Sequence, residues 1–142
     1  LTSSFSESEV CLVVEKARPL ELCLENLTFV EILSGLQNIL DALLFLHDQA
    51  GLCHNNVCTS CIFVTADGSW KLGGFECSLK QENSRHWVLS DFVKTVKEAL
   101  FLPPEDQQIM SKEVPAHARD SYGFGKVIEY LLPYIENEIT GK

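Results

Sequence analysis

Short apolar stretches open the chain. Leu1 to Phe5, the polar run Ser6-Glu7-Ser8-Glu9 and then Val10 to Glu15 predict two strands joined by a turn. Lys16-Ala17-Arg18-Pro19 breaks that pattern, because Pro19 fixes its own φ and pushes Arg18 toward extended backbone, so a connector is expected. From Thr28 to Gln49, Ile32, Leu36, Ile39, Leu40, Leu43 and Leu46 recur at spacings of three and four, with Glu31, Ser34, Asn38, Asp41 and Asp48 on the other side. This predicts a helix with one buried face and Thr28 as its N-cap. Beyond Gly51 a polar loop leads to Cys61-Ile62-Phe63-Val64-Thr65, the turn Ala66-Asp67-Gly68-Ser69 and Trp70-Lys71-Leu72, which reads as a hairpin. Cys77 to His86 is polar and aperiodic and is expected to be irregular. A helix is predicted from Asp91 to Leu100 with Ser90 as its cap, ended by Pro103-Pro104. Another is predicted from Asp120 to Leu132, with Phe124, Val127, Ile128, Leu131 and Leu132 at helical spacing and Pro133 as the stop.

The chain has 142 residues, 46% of them apolar, which is the size of one domain with enough apolar surface to bury a core. A net charge of -9 removes the basic footprint that phosphate backbones require, so nucleic acid is excluded as a partner. The uninterrupted apolar runs reach only about five residues, as in Ala42 to Leu46, against roughly 20 for a bilayer span, and no transmembrane segment is expected. The chain opens at Leu1 without a Met or a leader pattern, which gives the expectation of a fragment. Six cysteines allow a disulfide framework, and Cys53, Cys58 and Cys61 with His54 between them allow a zinc or redox site. One Cys-x-x-Cys without a second pair is a weak zinc signal, and helices of this length fold without staples, so reduced thiols are expected and neither metal nor cofactor.

The order hairpin, connector, long helix, loop opening on His54, hairpin, Gly74-Phe75, irregular segment, Pro103-Pro104-Glu105 and a helix opening on Asp120 resembles the central part of a protein kinase. Kinases carry His-Arg-Asp followed by four residues and Asn, where this chain reads His54-Asn55-Asn56-Val57-Cys58-Thr59-Ser60-Cys61. They carry Asp-Phe-Gly where it reads Gly74-Phe75-Glu76, and Ala-Pro-Glu where it reads Pro103-Pro104-Glu105. The resemblance implies an α+β, protein kinase-like fold. Residues 1–19 would be the end of the small lobe and the hinge, and residues 20–142 an incomplete, mainly helical large lobe. By residue type alone Asn55 and Asn56 are turn formers, since both tolerate left-handed backbone. In the kinase register Asn56 stands for the catalytic base, Cys58 for the loop Lys, and Cys61 and Gly74 for the two magnesium-holding positions. An amide cannot accept the substrate proton as a carboxylate does, glycine offers no ligand, and a thiol is a soft donor for a hard cation. His54, Phe75, Glu105 and Asp120 correspond to residues with architectural roles. Glu15 and Ala17 correspond to hinge positions beside adenine, and Phe63 to the residue beneath the ring, where its larger side chain would fill part of the pocket.

Architectural positions kept and chemical positions replaced is the pattern of a pseudokinase. The strings His54 to Cys58, Phe63-Val64, Trp70 to Gly74 and His117-Ala118-Arg119-Asp120 are similar to the Scy-like (amino-terminal-kinase-like) pseudokinases. That resemblance implies a cytoplasmic scaffold in membrane traffic around the Golgi, associated with membranes only peripherally. Its implied partners are trafficking coat proteins or cytoskeletal linkers such as ezrin. The alternative is a nucleotide-binding switch or atypical kinase that holds ATP without metal.

Overall fold

The computed structural model describes residues 2–5, 10–84, 100–104 and 117–141, and shows a mixed helix and strand architecture. Strands β1 (Thr2–Phe5) and β2 (Val10–Val13) form the first expected hairpin, with Thr2 opposite Val13 and Phe5 opposite Val10. The connector is itself a strand. β3 (Ala17–Pro19) lies antiparallel to β5, with Ala17 opposite Thr65 and Pro19 opposite Phe63; as the end residue of an edge strand Pro19 fits where a missing N–H is tolerated. Two 3-10 turns, Leu20–Leu22 and Leu24–Asn26, then bury Leu20 and Leu24.

Helix α1 (Phe29–Leu44) opens with a reciprocal cap. Glu31 N–H donates to Thr28 Oγ1, and Thr28 N–H and Oγ1 donate to the Glu31 carboxylate at 2.8 and 2.7 Å. The helix continues as a wider π-type turn, Phe45–Ala50, closed by Gly51 at φ 65. Ile32, Leu36, Ile39, Leu43 and Leu46 bury one stripe against β6 and the last helix. The helical stretch Phe29–Ala50 contains an 18-residue window of mean hydropathy 1.6, long and apolar enough to cross a membrane by length and composition, which the lengths of the uninterrupted apolar runs did not reveal. Isolated polar residues cut its apolar runs, while the aliphatic residues between them keep the average high. Here its inner face is the core of the fold.

β4 (Leu52–Cys53) leads into the loop. β5 (Ile62–Thr65) and β6 (Trp70–Leu72) form the second hairpin, Ile62 opposite Leu72 and Val64 opposite Trp70, giving a three-stranded sheet in the order β3-β5-β6. Asp67 shapes its turn by accepting from Thr65 Oγ1, Ser69 N–H and Ser69 Oγ, which holds its carboxyl below the usual carboxylate range. Asn38, read as solvent-facing, instead accepts the Trp70 N–H at 3.0 Å, and the Trp70 ring lies directly over Gly35, where a Cβ would collide with it.

Two expectations are corrected. Cys77 to His86 is not irregular throughout: β7 (Leu79–Lys80) pairs with β4, and α2 (Gln81–Ser84) follows. Gln81 Nε2 donates to His47 O and Gln81 N–H to Gly51 O, so this polar run is held by bonds to the end of the long helix. Pro133 does not stop the last helix. α3 (Ala118–Thr140) runs through it, because Pro133 and Glu129 both lie on the solvent side, where water satisfies the carbonyl that proline deprives of its donor. Its inner face carries Val127 and Leu131, both fully buried against α1. The helix expected over Asp91 to Leu100 lies, except for Leu100, outside the described residues, as does Glu105.

Candidate functional site

The loop 54–61 is pinned from beneath by one side chain. Asp120, in the first turn of α3 and completely buried, accepts from His54 N–H at 2.8 Å and from Asn55 N–H at 2.7 Å. The oxygen that takes the His54 N–H also accepts from His47 Nε2 at 2.8 Å, and the His47 ring stacks flat on His117 at 4.1 Å. A buried carboxylate is stable only when its lone pairs are used, and three donors use them here. Asn55 sits at φ 62, the left-handed backbone that asparagine tolerates, and its side-chain amide donates to Cys53 O and to Cys77 O at 3.1 Å. Neither His47 nor Asn55 was singled out for this role. Asn55's turn-forming character was the available signal, whereas His47 sits at the edge of the helical stripe and left none.

His54 is fully buried and its two ring nitrogens have fixed roles. Nε2–H donates to Gly73 O at 2.8 Å, and Nδ1 accepts the Asn56 N–H at 3.2 Å. The bond accepted by Nδ1 requires the neutral ring, and burial pushes the His54 pKa below the ordinary value against the Gly73 bond, which raises it. Phe75 meets the ring edge-on at 5.0 Å while remaining 48% exposed. Glu76, in the sequence no more than the third position of Gly74-Phe75-Glu76, brings a carboxylate to 3.5 Å from Asn56 Nδ2.

Above this base lie Asn56, Cys58, Cys61 and Gly74, which the fold brings together. Gly74 adopts φ 74, and a Cβ there would collide with Cys61 Sγ. Asn56 Nδ2 reaches Cys61 Sγ at 3.5 Å, and the Cys58 and Cys61 sulfurs lie 3.4 Å apart. The hydrogen-bonded Cys58 and burial push the Cys61 thiol far above the ordinary range, so it stays protonated. The cluster therefore offers an amide, two thiols and a bare backbone, without a carboxylate on Asn56, Cys58, Cys61 or Gly74. The carboxylate beside them is that of Glu76, 3.5 Å from Asn56 Nδ2.

Ala17 and Phe63 lie on the three-stranded sheet, and Glu15 in the segment just before β3. Glu15 forms an exposed ion pair with Lys71 at 3.5 Å, Ala17 stands in the β3–β5 ladder, and the Phe63 ring covers Gly73, where a Cβ would sit 2.9 Å from it. A groove of about 500 Å³ opens on the other side of β6, between Phe45, Trp70, Leu72 and Phe75, and shares only Phe75 with the loop cluster. His47 Nε2, Cys53 Sγ and the Asp120 carboxylate lie within 4.8 Å of one another, a spacing compatible with a metal ion. Both Asp120 oxygens, however, are already engaged by backbone N–H groups and by His47.

No protein-family model matches the chain. Over 99% of its length it is 37% identical to the mouse protein-associating with the carboxyl-terminal domain of ezrin, covering 19% of that protein. Over 78% of its length it is 36% identical to a protein kinase domain-containing protein of Schizosaccharomyces pombe, covering 17% of it. The chain thus spans about a fifth of the length of the curated relatives it matches. These likenesses support a kinase-like relationship.

Proposed function

We propose that the chain is part of a catalytically inactive protein kinase-like module, a pseudokinase, acting as a scaffold or adaptor in intracellular membrane traffic or cytoskeletal organisation. The contact between Cys61 and Gly74 carries this reading. The two positions that would hold magnesium in a kinase are filled by a protonated thiol and by a glycine with no room for a side chain. Asn56 stands where the proton acceptor would be, and a positioned base alone is worth roughly 100-fold to 10,000-fold in rate. In this reading residues 1–19 end a small lobe and residues 20–142 begin a large one. His54, Phe75 and Asp120 keep the loop in shape, and Glu105 would anchor the segment before α3.

The name of the mouse relative supports ezrin's carboxyl-terminal domain as the partner class. The Scy-like resemblance supports a cytoplasmic location with peripheral association at Golgi membranes or the cell edge. The full-length protein is expected to be retained by immobilised ezrin carboxyl-terminal domain and to transfer no radiolabelled phosphate from ATP in magnesium or manganese. Metal-dependent phosphotransfer that survives purification to homogeneity would sink the inactive reading; loss of retention would sink the partner.

A further inference from the structure

Cys58 and Cys61 hold chemistry that a scaffold does not use. They stand at the two ends of the 3-10 turn Thr59–Cys61, Cys58 as the extended residue that opens it and Cys61 as its last residue, with the Cys61 N–H donating to Cys58 O at 3.1 Å. A turn closed by such a bond keeps its end Cα atoms within about 7 Å, close to the range of about 4.4–6.8 Å that disulfides bridge. The side chains also converge, with the sulfurs 3.4 Å apart. Bond formation at about 2.05 Å asks them to close by about 1.4 Å, a matter of side-chain rotation.

We propose that Cys58 and Cys61 form a reversible thiol–disulfide modification site, oxidised by a peroxide and restored by a dithiol. The Cys58 sulfur attacks one oxygen of hydrogen peroxide, the O–O bond breaks, and the departing hydroxide takes the thiol proton as water, leaving a sulfenic acid. The Cys61 sulfur then attacks the Cys58 sulfur. The S–S bond forms, the S–O bond breaks, and the hydroxyl leaves with the Cys61 proton as a second water. Two thiols are oxidised and one peroxide is reduced. Both thiols are buried, Cys58 2% and Cys61 5% exposed; the order follows from what surrounds each sulfur, since Cys58 Sγ lies 3.1 Å from the hydroxyl of the exposed Ser60 whereas Cys61 Sγ faces Gly74 and Asn56 Nδ2. Drawing Cys61 Sγ onto Cys58 withdraws it from the space over Gly74 and from Asn56 Nδ2, so oxidation is read directly by the turn that carries Phe75 and Glu76.

The test treats native full-length protein with hydrogen peroxide, alkylates it after denaturation and digests it for mass spectrometry. In the peptide carrying both residues, Cys58 and Cys61 are expected to be unalkylated and lighter together by two hydrogens, and dithiothreitol returns both to the alkylatable form. Cys53 and Cys77 are expected to remain alkylated. In Cys61→Ser the sulfenic acid on Cys58 has no resolving partner, and about tenfold more dimedone label is expected there than in the wild type. Two intact alkylated thiols at 58 and 61 after the exposed Cys11 has been oxidised would overturn the proposal, as would a bridge from Cys58 to Cys53. The wild-type reading does not depend on whether the variant folds.

Discussion

At the scale of the residue, the contact between Gly74 and Cys61 makes a prediction in which two penalties can be separated. Gly74→Ala would place a Cβ at φ 74, a left-handed strain of about 1–2 kcal/mol, and drive it into Cys61 Sγ, an overpacking cost of about 1–3 kcal/mol. Urea unfolding should show the sum in the single variant. In the Cys61→Ala background the strain and only a milder contact with the Cβ of residue 61, 3.2 Å away, should remain, and equal penalties in both backgrounds would contradict the packing described. His54 makes a second prediction through its charge. The ring is neutral in the fold and its pKa is lowered by burial, whereas in the unfolded chain it titrates near 6.5. Below that pH the unfolded state binds a proton that the folded state refuses, so stability is intact above about 6.5 and falls with pH by at most about 1.4 kcal/mol per unit from this residue. His54→Gln should flatten that slope, and nitrogen-detected spectra of the wild type should report an Nε2–H tautomer persisting below pH 6.5. A ring that protonates at 6.5 would contradict the bonds assigned to it.

At the scale of the element, helix α1 depends on the exchange between Thr28 and Glu31. Thr28→Ala removes the hydroxyl that receives the Glu31 N–H, and should cost about 1 kcal/mol by urea unfolding; no loss would mean that the cap is idle. The elements that were legible in the sequence are those whose signals are local. Both hairpins could be read from strand pattern and turn residues, and α1 from its stripe and cap. What was illegible depended on partners far away in sequence. β7 is recognisable only beside Leu52 and Cys53, and Asn38 looks like a surface residue until Trp70 is placed across from it. Pro133 misled because its rule assumes that the freed carbonyl is buried, which on the wet side of α3 it is not. The loop positions Asn56, Cys58, Cys61 and Gly74 could be chosen from spacing, but the sulfur standing over Gly74 is a fact of packing and had no linear signal.

At the scale of the whole molecule, charge and ligand binding give two predictions. A net charge of -9 sits on a chain whose folded radius of gyration is about 15 Å for its length. At 0.01 M salt the Debye length of about 30 Å exceeds that radius and the molecule repels itself throughout; at 0.15 M, about 8 Å, it does so only locally. The unfolding midpoint should therefore rise by a few degrees between those conditions, and a fall would mean that particular ion pairs outweigh the net charge. ATP separates the inactive scaffold from the nucleotide switch. A ligand at roughly 100 times its dissociation constant stabilises the native state by about 2.7 kcal/mol, enough to move a midpoint by several degrees. With Cys61 and Gly74 at the magnesium positions and Phe63 lying over Gly73, neither magnesium-ATP nor ATP in chelator is expected to shift it. A rise that needs magnesium would require oxygen ligands other than these two residues. An equal rise in chelator would instead mean that the protein holds the nucleotide without metal, and the module would then be a nucleotide-gated switch rather than a constitutive scaffold.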